Sequence, residues 1–118
     1  MKKINLAITG CLGRMGQQLI KSVKKDKNFK LVTLTENRKM NKKINNIRVS
    51  LNVEEVLKKT NLIIDFTTPK CTFEILKIAS KLKKRVVIGT TGFSKREENL
   101  VKIYSCLLYT SDAADDRG

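Results

Sequence analysis

Gly10-Cys11-Leu12-Gly13-Arg14-Met15-Gly16 is the stretch of this chain best suited to holding an anion. It follows an apolar run, Ile4 to Thr9, and opens a helical pattern, so its order is strand, glycine turn, helix. Gly10 lets the chain turn sharply off the strand, Gly13 lets backbone come close to a pyrophosphate, and Gly16 lets the helix pack on a sheet. The anion then rests on backbone N–H groups at the positive end of the helix dipole. On its own the G-x-x-G-x-x-G spacing is also compatible with a plain strand-to-helix turn.

Glu36 supplies a second, independent feature. It lies 20 residues beyond Gly16, where a dinucleotide fold places the acid that accepts hydrogen bonds from the adenosine ribose hydroxyls. Arg38 and Lys39 follow it and could hold a 2′-phosphate, so either NADH or NADPH fits. The competing reading of Glu36 is an ordinary exposed loop acid.

Other chemistries find little support. The chain has no histidine, which removes the usual general acid–base and the commonest metal ligand. Cys11, Cys71 and Cys106 are odd in number and lack C-x-x-C spacing, which points to a reducing cytoplasm and to neither a disulfide framework nor a zinc site. Cys11 sits where a helix N-terminus would favour a thiolate, but the simpler role is a small side chain tolerated in a turn. The 25 Lys+Arg against 11 Asp+Glu give a formal net charge of +14, which suits anionic partners. The lysines fall on polar helix faces among many Asn and Ile, however. With aromatics at 5% and not interleaved with the basic residues, no nucleic-acid surface is indicated. Met1-Lys2-Lys3 with the short run ending in Gly10-Cys11 mimics a lipoprotein signal, but the run is too short and contains Asn5. No stretch approaches the ~18 apolar residues of a bilayer span, so no membrane partner is expected.

The elements that must position these residues alternate between strand and helix. The periodicity predicts a helix from Leu12 to about Lys25, with Met15, Leu19, Ile20 and Val23 on one face. Phe29 to Thr35 reads as a strand, residues 36–46 as a polar loop, Ile47 to Ser50 as a short strand and Val53 to Lys59 as a helix. Asn61 to Phe66 is a near-continuous apolar run of the buried parallel type. Thr68 as N-cap and Pro69 at the first helical position open a helix through Ala79. Arg85 to Gly89 reads as another buried strand, with an apolar edge expected there or at its neighbours for want of later strands, and Ser94 with Glu97 forms a capping box for a final helix containing Leu100, Val101 and Tyr104. Right-handed crossovers make this an α/β fold with a doubly wound parallel sheet. Its cleft must lie at the strand ends Thr9-Gly10, Thr35-Glu36, Phe66-Thr67 and Gly89-Thr90. At 118 residues the chain has room for one such domain and no separate substrate domain.

Three blocks resemble one family, the 4-hydroxy-tetrahydrodipicolinate (dihydrodipicolinate) reductases: AITGCLGRMGQQL at Ala7 to Leu19, IIDFTTP at Ile63 to Pro69, and VVIGTTGF at Val87 to Phe93. The resemblance covers Lys2 to about Tyr104. It implies a Rossmann-like domain, incomplete and without its second, substrate-binding domain. By position it puts cofactor contacts on Gly10, Gly13, Arg14, Met15, Glu36, Phe66, Gly89 and Thr91; Gly16, Arg38, Thr67 and Thr90 complete the candidate site. Phe66 and the loop from Gly89 to Thr91 would bracket the nicotinamide. Asn37 departs from the basic residue that some members have there, which leaves NADH against NADPH open.

The resemblance further implies hydride transfer from NAD(P)H to a small dicarboxylate, in the diaminopimelate route to lysine, by a homo-oligomer in its full-length form. The family's paired histidines and lysine for the substrate belong to the second domain, so no catalytic residue is assigned and the chain as it stands is expected to turn over nothing. The expected domain is 1–104. Residues 105–118, SCLLYTSDAADDRG, resemble translated adapter read-through, a non-native or disordered tail, with a native acidic tail as the competing reading. Another nicotinamide-dependent dehydrogenase domain and a non-enzymatic basic nucleotide- or nucleic-acid-binding module are the alternative functions.

Overall fold

The computed structural model describes residues 3–90, 92 and 94–98. Six strands, β1 (Ile4–Thr9), β2 (Phe29–Thr35), β3 (Lys43–Ile44), β4 (Ile47–Ser50), β5 (Leu62–Asp65) and β6 (Arg85–Ile88), form one sheet in the order β3-β4-β2-β1-β5-β6. All pairings are parallel except that of β3 with β4. The helices are α1 (Arg14–Lys24), the single turn α2 (Glu54–Leu57) and α3 (Pro69–Leu82).

The central strand explains the layering. Leu6 and Ile8 of β1 are fully buried on one face, against Ile20 and Val23 of α1. Ala7 is fully buried on the other, with Ile63 of β5 and Ile75, Leu76 and Ala79 of α3. A strand that alternates between two apolar layers must be covered on both sides, the arrangement that a near-continuous apolar sequence specifies.

In β2 the alternation breaks. Leu6 pairs with Leu31 but Ala7 pairs with Thr33, so Val32 is an extra residue. The bulge lets Phe29, Leu31 and Leu34, which a strict period of two would split between faces, pack into the same cluster beneath α1. Thr33 then turns to the opposite face and its hydroxyl donates to the Val56 carbonyl at 3.0 Å.

Four sequence expectations need correction. Residues 36–46 are not all loop, because Lys43 and Ile44 pair antiparallel with Arg48 and Ile47 across a two-residue turn. Asn45 and Asn46 there adopt φ of 52° and 65°, the left-handed conformation that Asn tolerates and a tight hairpin needs. Met15 does not join the apolar face of α1; it lies in the first turn and is 53% exposed. The helix after Val53 is one turn only. Finally β6 is only half-covered: Val86 and Ile88 pack beneath α3, but Val87 on the other face is exposed.

The start of α3 follows expectation, with Pro69 at its first position and the Thr68 hydroxyl accepting the Cys71 N–H at 3.4 Å. So does the capping box: Ser94 N–H donates to Glu97 Oε1 at 2.8 Å and Glu97 N–H to Ser94 Oγ at 3.2 Å. Residues 95–98 are helical; the expected positions Leu100, Val101 and Tyr104 and the segment 105–118 lie outside the described residues. Among the described residues no helix is long and apolar enough to cross a membrane.

Candidate functional site

Because β2, β1, β5 and β6 are parallel, their carboxyl ends share one edge of the sheet, and Glu36, Gly10, Phe66 and Gly89 line up along it. From β1 the chain winds outward first through β2 and β4, then through β5 and β6, so a crevice opens between the ends of β1 and β5.

The glycine turn is suspended from β2: the N–H groups of Gly10 and Cys11 both donate to the Thr35 carbonyl, at 3.0 and 3.3 Å. Gly10 has φ +69°, and a Cβ there would sit 2.0 Å from the Phe66 carbonyl oxygen. β1 and β5 can approach this closely only with glycine at that position. Gly13 differs. Its φ and ψ, −71° and 168°, suit any residue, and a Cβ would meet nothing nearer than the Gly10 carbonyl oxygen at 3.4 Å. The protein interior does not require glycine at 13; the space belongs to whatever enters the cleft.

Gly13 is also the N-cap of α1, with no side-chain cap and no acidic residue in the first turn. The first N–H groups of a helix have no partner inside it, and among the described residues no carboxylate is bonded to them. Across the turn, Glu36 Oε2 accepts the Leu12 N–H at 2.8 Å. A carboxylate and an anion-receptive helix end therefore share one cleft of about 690 Å³, lined by Gly10, Leu12 and Gly13, by Glu36, Asn37 and Arg38, and by Phe66, Thr67, Thr68 and Cys71.

Not every sequence candidate faces this cleft. Arg14 and Met15 are exposed and do not line it, and Gly16 is buried where a Cβ would strike the Gly10 carbonyl at 2.5 Å. Gly89 lies under the Phe66 ring, whose Cε1 would be 2.1 Å from a Cβ. Thr90 is buried, and its hydroxyl accepts the Thr67 N–H at 2.9 Å. Thr91 lies outside the described residues.

A buried carboxylate behind the cleft was given no role by the sequence reading. Asp65, fully buried at the end of β5, takes hydroxyl hydrogen bonds from Thr9 at 2.7 Å, Thr67 at 2.6 Å, Thr90 at 3.0 Å and Thr72. The signal for it was an acid ending an otherwise apolar run: such a group is buried only where several donors meet it.

Cys11 is fully buried, and burial, with the nearby Glu36 charge second, pushes its thiol up to about 11. This favours the small buried side chain over the reactive thiolate. A folded-state value above the unfolded one favours the native chain fully below the unfolded value, near 9, and the advantage is lost as pH rises through the folded one. The melting temperature of the unaltered chain is therefore expected to fall more steeply from pH 9 to 11 than that of Cys11→Ala, and parallel curves would show that Cys11 is not the group responsible.

A match to the family described as "Dihydrodipicolinate reductase, N-terminus" runs over residues 4–107. The chain belongs to the dihydrodipicolinate reductase family. It is 69% identical over 105 residues to the 4-hydroxy-tetrahydrodipicolinate reductase of Pelagibacter ubique (strain HTCC1062), covering 89% of this chain and 41% of that protein. With the reductase of Buchnera aphidicola subsp. Acyrthosiphon pisum (strain 5A) it shares 41% identity over 115 residues, 88% of this chain and 43% of that one. The structure of a dipicolinate-bound dihydrodipicolinate reductase from Paenisporosarcina sp. TG-14 superposes with a TM-score of 0.74 at 27% identity, covering 91% of this chain and 44% of that one. The chain thus spans about two fifths of the length of these family members.

Proposed function

We propose that this chain is the NAD(P)H-binding part of a reductase that converts 4-hydroxy-tetrahydrodipicolinate to tetrahydrodipicolinate. The observation that carries the proposal is the pairing of the uncapped N-terminus of α1 with the Glu36 carboxylate on one cleft. A polyanion would be repelled by Glu36, and a neutral ligand would leave the helix end unused. A ligand carrying both a pyrophosphate and a free ribose diol uses both. Family membership and the likeness to reductases named for this substrate support the same reading.

The bound nicotinamide would supply hydride; the residues of this chain bind, orient and exclude water. The helix end and Gly13 would take the pyrophosphate, Glu36 the ribose hydroxyls, and Arg38 a 2′-phosphate where one is present. Phe66 and the loop after β6 would wall the nicotinamide half. The substrate's carboxylates and its proton donor would be met by family residues outside this chain, which has no histidine. The cytoplasm and a homo-oligomer are the setting we infer for the full-length enzyme.

Titration of the chain with NADH, NADPH and a DNA duplex at two salt concentrations tests the reading. Dinucleotide binding with shallow salt dependence supports it; duplex binding that collapses with salt, with no dinucleotide bound, supports a basic binding module instead. Glu36→Ala is expected to weaken NADH by roughly tenfold, the scale of one charge-assisted hydrogen bond, and NADPH by less, because Arg38 and Lys39 remain for the phosphate. Equal losses for the two cofactors would remove Glu36 from ribose recognition.

A further inference from the structure

Resting on the dinucleotide reading, we infer that Asp65 is a positioning residue for the nicotinamide half of the cleft, acting through the loops that follow β5 and β6. Its Oδ1 accepts from Thr9 and Thr67 at 2.7 and 2.6 Å, and its Oδ2 from Thr90 at 3.0 Å and from Thr72. These four hydroxyls come from β1, the loop after β5, the first turns of α3 and the loop after β6. The carboxylate is the one group common to all four.

Its position accounts for what it holds. Phe66 lies between Asp65 and Thr67, both members of the network, so its backbone is fixed at either end. Gly89 N–H donates to the Asp65 carbonyl at 2.7 Å, and Thr90, next along, bonds the carboxylate and takes the Thr67 N–H. The Phe66 ring and Gly89 are thereby pressed together at the cleft wall. A buried carboxylate is costly even when satisfied, and an apolar side chain of similar volume commonly serves stability as well or better. What four hydrogen bonds supply that apolar contact does not is a fixed spacing between two loops.

Thr9 brings the network to the end of β1, but the adenosine half has further supports that do not involve Asp65. The glycine turn hangs from the Thr35 carbonyl, and Glu36 is held by its own N–H to the Ser50 carbonyl at 2.9 Å and by its carboxylate to Leu12. Loss of the Asp65 network should therefore divide the cofactor: binding of the nicotinamide portion suffers and binding of the ADP-ribose portion does not. A residue needed only for the general integrity of the fold would reduce both alike.

The test compares NADH with ADP-ribose, which lacks the nicotinamide, on the whole 118-residue chain. The unaltered chain is expected to bind NADH more tightly than ADP-ribose. Asp65→Asn, which keeps the shape but sets an amide against hydroxyl donors, is expected to lower NADH affinity by about tenfold, as loss of one or two buried hydrogen bonds implies, and to leave ADP-ribose within about twofold. Thr72→Ser should restore near-normal discrimination by keeping the hydroxyl, while Thr72→Val should behave as Asp65→Asn does. If Asp65→Asn does not fold, Thr90→Val carries the same comparison. Equal losses for both ligands, no loss for either, or an unaltered chain that binds NADH no more tightly than ADP-ribose would each overturn the proposal. If the unaltered chain binds neither ligand, the dinucleotide reading itself fails.

Discussion

Gly13→Val is expected to abolish dinucleotide binding and to leave the chain folded. Gly13 has the extended backbone that a β-branched residue accepts readily, and its nearest prospective neighbour is the Gly10 carbonyl at 3.4 Å. The added methyl groups instead fill the space over the first turn of α1, where an anion must come within hydrogen-bonding distance of backbone. Loss of two charge-assisted hydrogen bonds implies at least a ~100-fold fall in affinity. The check is titration with NADPH beside a thermal melt of the same sample. Unchanged affinity in a variant with an unchanged melting temperature would remove this turn from the binding site.

The second expectation reverses the pattern at the neighbouring glycine. Gly10→Ala should cost folding before it costs binding. Alanine at φ +69° is strained, and its Cβ would lie 2.0 Å from the Phe66 carbonyl oxygen and 2.8 Å from that carbonyl carbon. Both obstacles are backbone of the adjacent strand end, so relief requires β1 and β5 to part where Asn5 to Thr9 and Asn61 to Phe66 are knit together. A destabilisation of ~3 kcal/mol or more follows from strain and clash combined, lowering the melting temperature by roughly 12–24 °C at about 4–8 °C per kcal/mol. A melting temperature within ~3 °C of the unaltered chain would mean that the strand ends lie farther apart than described. Together the two variants separate a glycine the fold needs from one the ligand needs, a distinction that spacing alone cannot make.

Local signals carried much of this architecture. Thr68-Pro69 and Ser94 with Glu97 announce helix starts through chemistry confined to three or four residues, and the structure has both. The near-continuous apolar run at β5 announced a buried parallel strand, and Ile63 is fully buried there. What escaped depends on contacts distant in sequence. The bulge at Val32 is visible only against its partner strand, since Phe29, Leu31 and Leu34 satisfy neither period cleanly. At Arg85 to Gly89 the apolar edge was legible, but not which side chains stay covered, since that depends on α3 lying over Val86 and Ile88 and leaving Val87 exposed. The Asn45-Asn46 hairpin was legible in principle, as two Asn between Ile residues, but was hidden in a polar stretch. The Asp65 network draws threonines from positions 9, 67, 72 and 90, and threonine is too common for such a set to announce itself.

The extra residue in β2 also divides the strand into a part that tolerates changes of chain length and a part that does not. Deleting Val32 would join Leu31 to Thr33, whose partners Leu6 and Ala7 are already consecutive, so the ladder would become regular with every other side chain still on its own face. Deleting a residue between Thr33 and Glu36 would turn the remaining side chains over and draw Glu36 away from the Leu12 N–H. A one-residue gap between related chains can therefore fall at position 32 without disturbing the cleft, and an alignment that places it a few positions later assigns the ribose-facing acid to the wrong column.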